Sequence, residues 1–185
     1  MIDVIEITIE EFENDIYDKY IELFPEEEQR EWNKIVKTSK KGIEKFYKII
    51  YENKTIGFFL LEKINDDYPF YIDYFSIYRE YQNQGYGTKA IKVLLSKIIN
   101  KKGLIAEIET ESKDNPITIK RFEFYKRLGF KKIKSEYLLY NVYFTPILYN
   151  DYKEINKEKY DKIFFDYYAI NCGENEVKRH CKIIK

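Results

Sequence analysis

Gly85 and Gly87 stand one residue apart in Gln82-Asn83-Gln84-Gly85-Tyr86-Gly87-Thr88, just before an apolar run at helical spacing. Glycines at such a junction let the main chain turn its N–H groups toward an anion, and the following helix adds the positive end of its dipole. A phosphate-bearing ligand is the natural occupant. Gly85-x-Gly87-x-x-Ala90 also satisfies the G-x-G-x-x-A form of a dinucleotide fingerprint. Glu107 and Glu109 follow at about the 20-residue distance of a ribose-binding acid, so a nicotinamide oxidoreductase is one reading. Against it, Tyr78 to Gln84 put seven residues between Ile77 and the first glycine, where a dinucleotide fold runs almost directly from strand to glycine. No G-x-x-x-x-G-K-[ST] occurs, which excludes a Walker loop.

Proton-transfer groups are the next question. The single histidine, His180, lies beside Cys181 near the end of the chain, with Cys172 the only other cysteine. That placement argues against Ser-His-Asp or Cys-His chemistry, and the three residues lack zinc-finger spacing, so reduced thiols and no metal are expected. Carboxylate, tyrosine or water must then move protons. Asp73 shares a strand face with Tyr71 and Phe75, and burial among aromatics would raise its pKa. Glu109 lies with Glu107 and Glu111 on one face of another strand-like segment, which reads equally as a solvated acidic edge. With 19 tyrosines and 13 phenylalanines, most aromatic rings must pack the core.

Elements that position these residues follow from periodicity. Val4 to Ile9 alternates as a half-buried strand, and Glu10 to about Lys41 turns helical until Pro25 breaks the run. Glu10 to Glu31 holds ten acids against Lys19 and Arg30, either a solvated face or a rim attracting a cationic substrate. Phe46–Tyr51 and Thr55–Ile64 read as a hairpin turning at Glu52-Asn53-Lys54, and Phe70–Ile77 as the next strand. A helix over Thr88–Asn100, a strand over Leu104–Thr110 and a helix from Pro116 to about Leu128 follow. Lys131–Tyr140 and Asn141–Leu148 read as a last strand pair, and Asn156 caps a final aromatic helix, usable as core or as a homodimer contact. The pattern is mixed α/β.

The segment Gln82-Asn83-Gln84-Gly85-Tyr86-Gly87 has the form Q/R-x-x-G-x-G/A. One strand later come Asn115-Pro116 and Arg121-Phe122-Glu123-Phe124-Tyr125, with Gly129-Phe130 closing the helix. In these two motifs, and in their order, the chain resembles the GNAT superfamily of acyl-CoA-dependent N-acetyltransferases over residues 4 to 150. The resemblance implies a central, mostly antiparallel sheet of six to seven strands with splayed central strands and flanking helices. The expected organisation is a domain over 1–150 and a helical extension over 151–185. Acetyl-CoA is the implied cosubstrate, without a metal. Its pyrophosphate would meet the amides of Gln82 to Thr88, that is Gln82, Asn83, Gln84, Gly85, Tyr86, Gly87 and Thr88. Main-chain groups of Phe75, Ser76 and Ile77 would pair with the pantetheine arm. Asn115 would bond that arm or merely cap its helix. Tyr125 matches the tyrosine credited with protonating the CoA sulfur, and packing beside Phe122 and Phe124 is compatible with that. Glu109 and Asp73 are equal candidates for the base, each through water. A non-catalytic acyl-CoA-binding module of the same fold is the alternative from another class.

Charge and hydropathy limit the partners. Lys plus Arg equals Asp plus Glu at 32 each, which favours neither nucleic acid nor membrane. Apolar runs such as Ile56–Leu61 are too short to span a bilayer, and the acidic first residues do not resemble a signal peptide, so a cytoplasmic protein is expected. The expected acceptor is an amine of a small molecule or protein, with cationic acceptors favoured by the acid-rich stretch.

Overall fold

Thr8 ends the first strand. Its Oγ1 accepts from the Glu11 N–H at 3.2 Å while the Glu11 carboxylate accepts from the Thr8 N–H at 2.9 Å. This reciprocal cap starts a helix at Ile9, so the strand, β1, is Ile2–Ile7 and stops short of the expected Ile9. The computed structural model describes residues 1–98, 103–149 and 155–184. They form two compact units, Met1–Asn65 with Tyr71–Ile99, and Asp66–Phe70 with Asn100–Lys185. The expected domain boundary at 150 and the expected helix end at Asn100 lie outside the described residues.

In the first unit β1 is followed by α1 (Ile9–Asp15), α2 (Tyr17–Leu23) and α3 (Trp32–Lys40). Then come β2 (Glu44–Tyr51), β3 (Lys54–Glu62), β4 (Phe70–Ile77) and α4 (Tyr86–Ile98). The strands pair antiparallel in the order β1, β2, β3, β4. Glu52 and Asn53 take positive φ of 49° and 62°, the geometry of a tight two-residue hairpin turn between β2 and β3. The core is aromatic: Phe12, Tyr20, Phe46, Phe58, Tyr74 and Tyr78 pack with Ile16, Ile35 and Leu60.

Beside this core lies a buried charge cluster. Arg30 Nη1 donates to Glu44 of β2 at 3.0 Å, to Glu62 of β3 at 2.7 Å and to Asp73 of β4, and Nη2 donates to Thr38 of α3 at 3.0 Å. Glu44 and Glu62 have fully buried side chains. One cation therefore serves three carboxylates, and the Thr38 hydroxyl donates to Glu44 at 2.6 Å.

The second unit contains β5 (Leu104–Glu109), α5 (Pro116–Arg127), β6 (Lys131–Lys132), β7 (Tyr137–Leu139) and β8 (Val142–Tyr149). It ends with α6 (Lys157–Cys172), α7 (Glu174–His180) and β9 (Cys181–Ile183). β8 runs antiparallel to β5, β6 and β7, and β9 antiparallel to β7. The expected strand over Lys131–Tyr140 is divided, because Ile133 bonds the Pro146 carbonyl and Ser135 then bonds back to Ile133. With β9 added, the strands number four and five in the two units among the described residues, more than the six to seven expected.

Asn156 caps α6 as anticipated, its Oδ1 accepting from the Lys159 N–H at 2.9 Å. Tyr160 and Phe164 of α6 are buried, which is the core use of that helix. Tyr160 and Tyr168 hydroxyls both donate to Glu107 of β5 at 2.7 Å, and Tyr68 donates to Asp166 at 2.6 Å. Among the described residues no helix is long and apolar enough to cross a membrane.

Burial pushes the Glu44 carboxyl up to about 7, against the opposing pull of Arg30. A carboxyl raised on folding stabilises the fold fully below its unfolded pKa, and that contribution is lost as pH rises through the folded value. The urea midpoint should therefore fall between about pH 5 and pH 8. Glu44→Gln should flatten that fall; a variant that keeps the wild-type slope would move the titration to another group.

Candidate active site

The carboxyl end of β4 leads into the glycine loop. Phe75 stacks on Phe59 of β3 at 4.5 Å, and pairing continues one residue past the strand, with the Tyr78 N–H donating to the Ile56 carbonyl at 2.8 Å. A short 3-10 turn over Arg79–Tyr81 follows. Gln82 Nε2 then reaches back to the Ile77 carbonyl at 2.8 Å, and Gln84 Nε2 to the Glu80 carbonyl at 3.0 Å. Both glutamine side chains thus hold the loop to its own main chain. Asn83 and Gly85 take positive φ of 60° and 79°, turning the chain into α4.

α4 begins at Tyr86, two residues before the expected Thr88, so the second glycine lies inside its first turn. The first N–H to find a backbone acceptor is that of Lys89, on Gly85 at 3.2 Å. Among the described residues nothing accepts from the N–H groups of Gly85, Tyr86, Gly87 and Thr88. Four unmatched N–H groups at the positive end of a helix dipole are an arrangement suited to an anion without any charged side chain. The Tyr86 ring is steadied by Tyr51 at 4.8 Å and Tyr81 at 6.2 Å.

Asp73 is placed differently from the expectation. The register of β4 against β3 passes from Ile72 to Tyr74 and skips Asp73, a bulge that breaks the simple alternation with Tyr71 and Phe75. Its carboxylate belongs to the Arg30 cluster instead of standing alone among aromatic rings. Glu44, Glu62 and Asp73 oxygens lie within 4.8 Å of one another, a spacing that could hold a cation, and the Arg30 guanidinium is that cation.

The remaining expected residues lie in the second unit. Glu107, Glu109 and Glu111 do not form a bare acidic edge. Glu107 takes the two α6 tyrosines, Glu109 pairs with Arg121 of α5 at 2.9 Å, and Glu111 pairs with Lys132. Asn115 occupies the N-cap position of α5 but its side chain makes no capping bond; its carbonyl does that work, accepting from the Thr118 N–H and hydroxyl. The carboxamide is left exposed. Tyr125 is buried, with Phe124 and Phe130 edge-on at 5.1 Å each. Burial pushes its phenol up to about 12, with Arg121 pulling the other way. Arg121 stands in the second motif, yet the motif alone does not show its pairing with Glu109. The C-terminal thiols are not joined in a disulfide, and His180 stacks on Tyr140 at 4.8 Å.

Residues 9–130 match the family model of the acetyltransferase (GNAT) family. No curated protein matches the chain. Among solved structures, a protein from Bacteroides thetaiotaomicron assigned to the GNAT family superposes with a TM-score of 0.77 at 19% identity, over 92% of this chain and 98% of its own. A GNAT family acetyltransferase from Elizabethkingia anophelis with acetyl-CoA bound gives 0.56 at 17% identity, over 80% and 94%. The ribosomal-protein-S18-alanine N-acetyltransferase from Escherichia coli gives 0.59 at 12% identity, over 84% and 98%. At such identities the structural likeness speaks for the fold alone. The family model covers well over half of the sequence, from the first helix through the glycine loop to Phe130, and on that match the chain belongs to the GNAT family of acetyltransferases.

Proposed function

We propose that this protein transfers an acetyl group from acetyl-CoA to a primary amine of a small molecule or protein, by direct attack in a ternary complex. The observation that carries the reading is the run of unmatched N–H donors from Gly85 to Thr88, which suits the CoA pyrophosphate. The Thr88 hydroxyl adds a donor at the same turn. Main-chain groups of Phe75, Ser76 and Ile77, and the exposed Asn115 carboxamide, take the pantetheine arm. A dinucleotide is disfavoured by the commitments of its two candidate ribose acids, Glu107 to Tyr160 and Tyr168 and Glu109 to Arg121. The catalytic domain is residues 1–150, with 151–185 as its extension.

The reaction joins the amine nitrogen to the thioester carbon, breaks the C–S bond, and moves a proton from nitrogen to solvent and one to sulfur. We assign the base to Glu109 through water: its side chain is 30% exposed, whereas Asp73 is 12% exposed and bound into the Arg30 cluster. Tyr125 acts on the leaving sulfur. A thiol has a pKa of about 8.5, so a phenol held near 12 stabilises the departing thiolate by donating a hydrogen bond and keeps its own proton. Water completes the protonation. The acids of Glu10–Glu31 favour a cationic acceptor.

Acetyl-CoA should raise the melting temperature and NADH should not; stabilisation by NADH alone would overturn the assignment. Across a panel of polyamines, aminoglycosides and peptide N-termini, release of free CoA thiol should accompany at least one amine. Binding without turnover on any of them would favour the non-catalytic module. Tyr125→Phe should lower kcat by about 10²-fold with little change in KM. Because the phenol stays neutral, wild-type kcat should show no Tyr125 limb from pH 6 to about 10. Glu109→Gln should cost about 10²-fold in kcat with little change in KM for acetyl-CoA. If Asp73→Asn carries that loss and Glu109→Gln does not, the base is Asp73.

A further inference from the structure

The end of β4 is gripped from two sides. On the β3 side stands Gly57, paired with Ile77. A Cβ at Gly57 would lie 2.3 Å from the Ser76 carbonyl oxygen and 3.0 Å from the Ile77 Cα, both backbone atoms that cannot swing aside. This glycine is needed for space. On the loop side, Gln82 Nε2 donates to the Ile77 carbonyl at 2.8 Å. Two consecutive carbonyls are therefore located by groups outside β4, and the Tyr78 N–H bond to Ile56 anchors the peptide that follows.

We infer that Gly57 and Gln82 are positioning residues for the thioester arm of the cosubstrate: they set the tilt of the Ser76 and Ile77 peptide groups that pair with the pantetheine amides. The inference rests on the acetyl-CoA reading. Gln82, the first residue of Gln82-x-x-Gly85-x-Gly87, then acts on the strand and leaves the phosphate to the amides that follow. A misplacement of these groups by a fraction of an ångström is enough to matter, since about 1 Å can cost about 10²-fold in a positioned reaction.

The probes are CoA and its 3′-phospho-ADP portion, which keeps the pyrophosphate and lacks pantetheine, titrated calorimetrically into wild type and variants. Gln82→Met should weaken CoA about tenfold and leave the nucleotide portion unchanged, with KM for acetyl-CoA rising more than kcat falls. Gln82→Arg, which keeps a donor of similar reach, should recover CoA affinity. Gly57→Ala should show the same split between the probes; if it does not fold, the Gln82 series decides. Equal weakening of both probes by Gln82→Met would place Gln82 at the phosphate and overturn the inference, as would no weakening of either. Failure of wild type to bind either probe would instead bring down the acetyl-CoA reading itself.

Discussion

One guanidinium holds the first unit in register. Arg30 reaches α3, β2, β3 and β4 through Thr38, Glu44, Glu62 and Asp73, at a depth where an unpaired charge is not tolerated. Replacing a paired buried charge with nothing costs about 3–5 kcal/mol, while the intact pair adds little net stability. Its value lies in geometry. Three carboxylates can face one cation only if the strands that carry them keep their offsets, including the bulge that leaves Asp73 outside the β3 register. Burial, with the Asp73 charge beside it, raises the Glu44 carboxyl against the pull of Arg30.

That constraint places β4, and β4 places the loop. Fixed at Asp73 by the cluster and at its end by Gly57 and Gln82, the strand delivers the chain to Gly85 in one orientation. The donors proposed for the anion are main-chain groups, so their aim depends on backbone placement throughout. A glycine-rich loop on a strand free to slide would have the same amides and no fixed target for them.

The glycine loop was legible because its chemistry is local: a positive φ at Gly85 and a helix start within a few residues leave a compositional mark. The hairpin at Glu52-Asn53 and the Asn156 cap are legible for the same reason. Thr8 shows how a local signal can be outweighed, since the β alternation continues through it while its cap with Glu11 ends the strand. What could not be read is long-range. Arg30 sits in an acid-rich stretch and looks like one more surface charge, until three partners from distant strands converge on it. Glu107 looks like a member of a solvated edge until Tyr160 and Tyr168 arrive from a helix more than fifty residues later. α7 and β9 carry too few residues for a periodic signal, and pairing with Tyr137 to Leu139 gives β9 its strand character.

Arg121 links the two proton-handling groups assigned to the second unit. It pairs with Glu109 and stands one helical turn before Tyr125, whose phenol it pulls toward lower pKa. Part of that positive field is spent on the Glu109 carboxylate, paired with it at 2.9 Å. On the proposed mechanism, a proton passing through Glu109 on its way from the amine to solvent weakens that counter-charge, and the guanidinium's field on the phenol grows. On that reading Tyr125 becomes a better hydrogen-bond donor at the stage when the sulfur departs. The effect is moderated by solvent, because the pair is partly exposed. Its direction is nonetheless set by the arrangement, and it gives the motif arginine a reason to stand between a carboxylate and a buried tyrosine.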